Sequence, residues 1–187
     1  MRLLKIPHEN AQNILDLYEA SPELLSLIKD QLTPYQLIQI ALKQTLFSDV
    51  VIFLAHSLPI REAIWWASLC ASLRTDWNED EWGAIRAAKA WVHNPDENNR
   101  RYAEDMAKKS GLKTGAGWAA QAVFWSGGSM TASKEPIVPP PPYLYAHAVA
   151  GCISLSAILP NGEHTNQNYN TFIEIGLNIA QGGNGKI

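Results

Sequence analysis

Cysteine is nearly absent: Cys70 and Cys152 are the two among 187 residues, and both sit in apolar, helix-like stretches. Two thiols make no disulfide framework, so buried free cysteines in a reducing cytoplasm are expected. Charge is scarce too. Asp, Glu, Lys and Arg make up 18% of the chain, and the formal net charge is −3. Nucleic-acid binders usually carry a basic excess, so no nucleic-acid partner is expected. Arg100, Arg101, Lys108, Lys109 and Lys113 are interleaved with Glu97, Glu104 and Asp105, which reads as a solvated helix face laced with ion pairs. No apolar run reaches the roughly 20 residues of a membrane-spanning helix. The longest window, 143–159, contains His147, Ser154 and Ser156 and reads as a core helix. The opening stretch, MRLLKIPHENAQN, has no secretory apolar region.

Catalytic and metal spacings are also missing. His8, His56, His93, His147 and His164 stand alone, with no H-x-x-x-H or C-x-x-C pattern, so no metal site is expected. There is no phosphate loop and no dinucleotide fingerprint, hence no expected cofactor. Ser126-Gly127-Gly128-Ser129 is flexible but lacks the strand-to-helix elbow of a G-x-S-x-G nucleophile. Pairings such as Cys70 with His93, or Cys152 with His56, have nothing in the sequence to bring them together.

What remains is a chain that is 47% hydrophobic, with well-punctuated helix signals. Ser21-Pro22 and Asn94-Pro95 supply N-caps followed by proline at the first helical position. Thr33 with Gln36, and more weakly Asn78 with Glu81, form capping boxes. Gly111 and Gly127 stand where helix C-terminal glycines belong. These marks predict helices near 8–19, 22–31, 34–46, 49–57, 60–74, 79–93, 95–109, 115–126, 143–159 and 167–181. The run Val50-Val51-Ile52-Phe53-Leu54 has a strand-like composition. A lone strand cannot satisfy its backbone, so helix is expected there as well. The fold class is therefore all-α: an irregular multi-helix bundle of about ten helices, with antiparallel helical hairpins, in a single domain over 1–187. Within it, 1–58 is expected to form an N-terminal layer and 182–187 a loose, fraying tail. Gly127 to Pro142, ending in four prolines, reads as a stiff external strap. Four prolines in extended form cover roughly 12 Å, about one helix diameter.

Seven tryptophans are the most unusual inventory. On a 3.6-residue wheel, Arg61, Ser68 and Ser72 fall on one polar stripe, with Ala63, Trp66, Ala67 and Cys70 opposite. Trp65 lies within about 40° of the polar stripe. Either a second helix layer covers it, or it is exposed beside Arg61 as a binding anchor, since large aromatics dominate interface hot spots. Trp118 and Trp125, seven apart, read as core. Trp77 and Trp82 flank the Asn78–Glu81 cap, with at least one expected at the surface. Candidate partner-binding residues are thus Arg61, Trp65, Trp77 and Trp82.

The blocks REAIWWASLC from Arg61, AWVHNPDENNRRYAE from Ala90, FWSGGS from Phe124 and VPPPPYL from Val138 occur in this order. Together they resemble a bacterial protein family of unknown function, over about 55–182. The resemblance carries no catalytic residue. It implies an adaptor or accessory role beside contact-dependent secretion machinery. The leading expectation is a non-enzymatic, cytoplasmic adaptor, chaperone or accessory factor whose partner is another protein, with self-association also open. Two alternatives stand beside it: an enzyme with Ser126, Ser129 or His147 at a site near the 126–147 strap, and a helical small-molecule or lipid pocket lined by tryptophans.

Overall fold

A computed structural model describes residues 3–28, 31–132 and 134–186, which form ten helices and no strand. They are α1 (Gln12–Leu15), α2 (Pro22–Leu25), α3 (Pro34–Lys43), α4 (Phe47–Ser57), α5 (Ile60–Ser72), α6 (Glu79–His93), α7 (Glu97–Ser110), α8 (Gly115–Phe124), α9 (Leu144–Ile158) and α10 (Thr165–Ala180). The expected capping chemistry sets the starts of α2, α3 and α6. The Ser21 side chain accepts from Leu24 N, and the Thr33/Gln36 and Asn78/Glu81 boxes both close reciprocally. One cap lies elsewhere: Asp96, not Asn94, accepts from Asn99 N and starts α7. The strand-like VVIFL run is the middle of α4, whose Val50, Val51, Phe53 and Leu54 are buried. The first two helices are single turns, where 8–19 and 22–31 were expected; residues 29 and 30 of the second stretch lie outside the described residues. α1 begins at Ala11 without any side-chain cap, and so short a piece gains little from its own hydrogen bonds.

Packing radiates from α9, whose buried residues include Ala146, Val149, Ala150, Cys152, Ile153 and Ala157. It lies against α8, α4, α5 and α10. Apart from His147, Ser154 and Ser156 it is apolar around most of its circumference, so most of it must be covered, and the small side chains of α8 and α9 let those two approach closely. α6, α7 and α8 each pack on the other two, while α1 and α3 pack on α4. The buried residues form one continuous cluster, running from Leu3 to Ala180. The two cysteines meet the expectation of burial, and the Cys152 thiol points to the Ala67 carbonyl at 3.6 Å. Burial pushes the Cys152 thiol up to about 12, and Cys70 upward as well, so neither is an activated nucleophile.

α5 carries neighbours on several sides: α6, α8, α9 and α10. This corrects the polar stripe read from its sequence. Ser68 is fully buried, and its hydroxyl donates to the Ile64 carbonyl one turn back at 2.7 Å. A serine that bonds its own helix can sit in the core without an orphaned group.

The strap lies on the outside and crosses α7. Arg100 is the correction here: it is buried rather than solvated. Its Nη1 donates to Phe124 O at 2.8 Å and its Nη2 to Ser129 O at 3.0 Å, while Glu97 pairs with it at 2.6 Å. Arg101 Nη2 holds Thr131 O at 2.7 Å. The strap then closes on itself, with Met130 N donating to Val138 O at 2.8 Å. The ion pairs expected along α7 are present between Arg101 and Glu104 and between Lys108 and Glu104.

Candidate functional site

Two of the four residues singled out from the sequence, Arg61 and Trp65, open onto one groove. They stand four apart in the first half of α5, so they share a face. The groove encloses about 270 Å³ and is lined also by Lys5, Glu62, Val92, His93, Ile179, Gly182 and Gly183. Each wall has a local cause. Arg61 is exposed, and its Nε donates to Val92 O at 2.6 Å, in the last turn of α6, where a cation complements the helix dipole. Its two Nη nitrogens make no hydrogen bond among the described residues. Lys5 reaches Glu62 at 3.0 Å, and its backbone N–H donates to Ala180 O at 2.8 Å, which draws the N-terminal stretch to the end of α10. The His93 ring meets the Trp65 indole edge-on, with centres 5.9 Å apart.

Trp65 is half-buried, and besides His93 of α6 it is met by the segment after α10. Its indole N–H donates to Asn184 O at 3.1 Å. The segment after α10, expected to fray, is tied down through Lys186: Gly183 N donates to Asn178 O and Gly185 N to Asn178 Oδ1. Ile187, the last residue of that expected tail, lies outside the described residues.

Trp77 and Trp82 do not join this site. The 13 residues of α5 span roughly 20 Å at 1.5 Å each, and both tryptophans follow its far end. Trp77 is buried, which removes it as a contact residue. Its indole donates to Ala71 O at 2.7 Å and its ring face is covered by the Arg74 guanidinium at 4.7 Å. Trp82 is half-buried against the core. Trp118 and Trp125 share a face and meet edge-on at 6.2 Å, but both are half-buried rather than fully core.

The residues of the alternative readings are placed as follows. The Ser129 hydroxyl is within 2.6 Å of Thr131 Oγ1 and accepts from Val138 N at 3.0 Å, so it works inside the strap. His147 turns to His56, ring centres 4.8 Å apart, with Tyr18 stacked on His56 at 4.4 Å and Tyr143 at 5.9 Å. His56 is buried. Its Nδ1–H donates to Ile52 O at 2.8 Å, and burial is the main cause lowering its pKa to about 4, with His147 acting in the same direction. Among the described residues, its Nε2 and the Tyr18 hydroxyl have no hydrogen-bond partner. A second groove, of about 460 Å³, is walled by Leu3, Ile6, Pro7, His8, Thr33 and Tyr35 and has no tryptophan in its lining. Among the described residues, no three His, Cys, Asp or Glu side chains gather as a metal site, and no helix is long and apolar enough to cross a membrane.

Lys5, His93 and Asn184 are not legible in the sequence because Lys5 comes to the groove through Glu62, and His93 and Asn184 meet Trp65, only across long separations. The glycines at 182, 183 and 185 are the one available signal, because glycine also serves where another part of the chain approaches the backbone closely. No curated protein and no solved structure matches this chain. One family model does, over residues 37–180, beginning inside α3 and taking in every helix from α4 to α10. The chain therefore belongs to the family of unknown function DUF6931.

Proposed function

We propose that the Arg61–Trp65 groove receives an extended, acidic segment of another protein, and that the molecule is an adaptor, chaperone or accessory factor with no chemistry of its own. The observation that carries this is the pairing of Arg61, exposed with both Nη nitrogens unbonded, and the half-exposed Trp65 on one groove wall. Arginine and tryptophan are the residues that most often dominate partner binding. Arg61 and Lys5 supply cationic charge, one acidic side chain, Glu62, is already engaged by Lys5, and nothing in the groove resembles a nucleophile with its base. The bacterial resemblance read from the sequence extends the proposal to the bacterial cytoplasm and to the neighbourhood of a secretion apparatus.

The test uses the intact protein and its Arg61→Glu variant as paired baits in extract of the native host. A partner is expected on the wild type and absent from the variant, at equal thermal midpoints. That partner, purified, should then bind the wild type and lose at least tenfold in affinity on Arg61→Glu. Identical retention by both baits would overturn the reading, and a second copy of this chain as the captured species would replace the partner with self-association.

A further inference from the structure

His56 is sealed from solvent, at 2% exposure, yet half of its ring chemistry is unmet. Its Nδ1–H donates to the Ile52 carbonyl at 2.8 Å, which fixes the neutral tautomer and leaves Nε2 a bare acceptor. No group among the described residues meets Nε2, and none meets the buried Tyr18 hydroxyl. Each carries the cost of an unpaired buried polar group. Tyr18 covers the imidazole, with ring centres 4.4 Å apart, while the exposed His147 meets the same ring edge-on at 4.8 Å. Tyr18 itself stands in the turn 16–20, which follows the four-residue helix α1. That turn is anchored by Asp16 N on Gln12 O and Leu17 N on Ile14 O, both at 3.0 Å.

We infer that Tyr18 and the turn 16–20 form a proton-released cover, closed while His56 is neutral and open once Nε2 takes a proton. Protonation turns the bare acceptor into a buried cationic donor with no acceptor among the described residues, in surroundings that disfavour charge. A second proton on His147 would add repulsion. Lifting the cover gives water to Nε2–H and to the Tyr18 hydroxyl in one movement. It is also the smallest movement that does so, because α4 and α9 are packed through the core whereas α1 is a single turn. The other titratable groups nearby offer no compensation. Tyr143 is the remaining ring neighbour of His56, at 5.9 Å, with Tyr145 beside it at 6.3 Å. Asp49 acts on Tyr18, and Asp16 accepts from Gln12 Nε2. On the further helices packed against α4, Tyr35 and Lys43 of α3 and Tyr169 and Glu174 of α10 make no hydrogen bond or ring contact with His56 among the described residues.

The experiment is amide hydrogen exchange on the full-length chain across pH, corrected for the intrinsic exchange rate. Protection of the Asp16 and Leu17 amides is expected to fall roughly 40-fold between pH 6.5 and 4.5, as the open form gains its proton. The Cys152 and Ile153 amides in the core of α9 should remain far better protected throughout. His56→Phe should abolish the fall, with His56→Gln in its place if the larger ring disturbs packing. A second measurement follows the His56 ring resonance in Tyr18→Ala. With the cover gone, His56 should titrate near its ordinary 6.5 in a chain that is still folded. Protection of Asp16 and Leu17 that ignores pH would overturn the inference. So would a loss of protection that comes only in step with the α9 core, which is global acid unfolding, or one that persists in His56→Phe. A His56 that stays uncharged down to about pH 4 in Tyr18→Ala would overturn it as well.

Discussion

The Arg100 guanidinium fills the space that a side chain on Gly128 would need: a Cβ built there would lie 2.8 Å from Arg100 Nε and 2.9 Å from its Nη2. Gly128 also sits at φ +65. The glycine of the FWSGGS block and the arginine of the NRRYAE block are therefore two halves of one lock, which fixes the strap across α7 through Phe124 O and Ser129 O. These family-like motifs serve architecture, and the groove lies elsewhere.

Gly128→Ala is expected to destabilise the protein by roughly 1–3 kcal/mol, from backbone strain and the displaced guanidinium. Gly127→Ala, where nothing lies within 4 Å, is expected to stay within about 0.5 kcal/mol of wild type. Paired thermal melts check this; equal midpoints would remove the lock.

Neighbouring tryptophans should differ sharply. Trp66 is fully buried and donates to Phe172 O at 2.6 Å, so Trp66→Ala should lose about 3–5 kcal/mol. Trp65→Ala should lose markedly less, because its ring is only partly buried and its hydrogen-bond partner lies in the segment 182–186. Denaturant titration separates the two, and hydrogen exchange should show that Trp65→Ala frees the Gly185 amide alone.

Acid should destabilise the fold in two windows. The His56 pKa falls from 6.5 to about 4 on folding. Below pH 6.5 the unfolded chain binds a proton that the folded chain refuses, so stability is complete above 6.5 and declines down to about 4. The total is on the order of 3 kcal/mol. The groups facing His56 are Tyr18, Tyr143 and His147, with Asp49 near Tyr18. His56→Phe should flatten this window. A slope unchanged by His56→Phe would assign it to other groups.

Glu97 gives the second window. Hydrogen bonds from Arg100, then Arg101, hold its carboxyl at about 2, below the ordinary 4.5. Its contribution is present above pH 4.5 and lost as pH falls toward 2. Because Glu97 is largely exposed, solvent screening keeps that contribution below about 1 kcal/mol. Glu97→Gln should remove it, and should loosen the strap by releasing the orientation of Arg100, seen as faster exchange of the Val138 amide.

The legible part of the fold was what neighbours within a turn or two dictate. Ser21, Thr33 and Asn78 cap helices because their partners are three residues away. The 143–159 run reads as a core helix because its polar residues, His147, Ser154 and Ser156, are few among apolar ones. Arg100 was illegible for the opposite reason: next to Glu97 and Arg101 it looks like one more surface charge, and the carbonyls that bury it lie 24 and 29 residues downstream. The candidate site was half legible. Helical pitch puts Arg61 and Trp65 on one face, but nothing local separates Trp82 from Trp77, which the Arg74 guanidinium and the Ala71 carbonyl enclose.

By itself the sequence determined an all-helical chain, where most of its helices begin and end, and an external strap, because proline, glycine and capping side chains act on the backbone beside them. Tertiary structure alone decided which side of α5 stays open. That choice depends on Asn184 arriving 119 residues after Trp65, a meeting brought about by the packing of α10 on α5 and by a glycine small enough to fit between them.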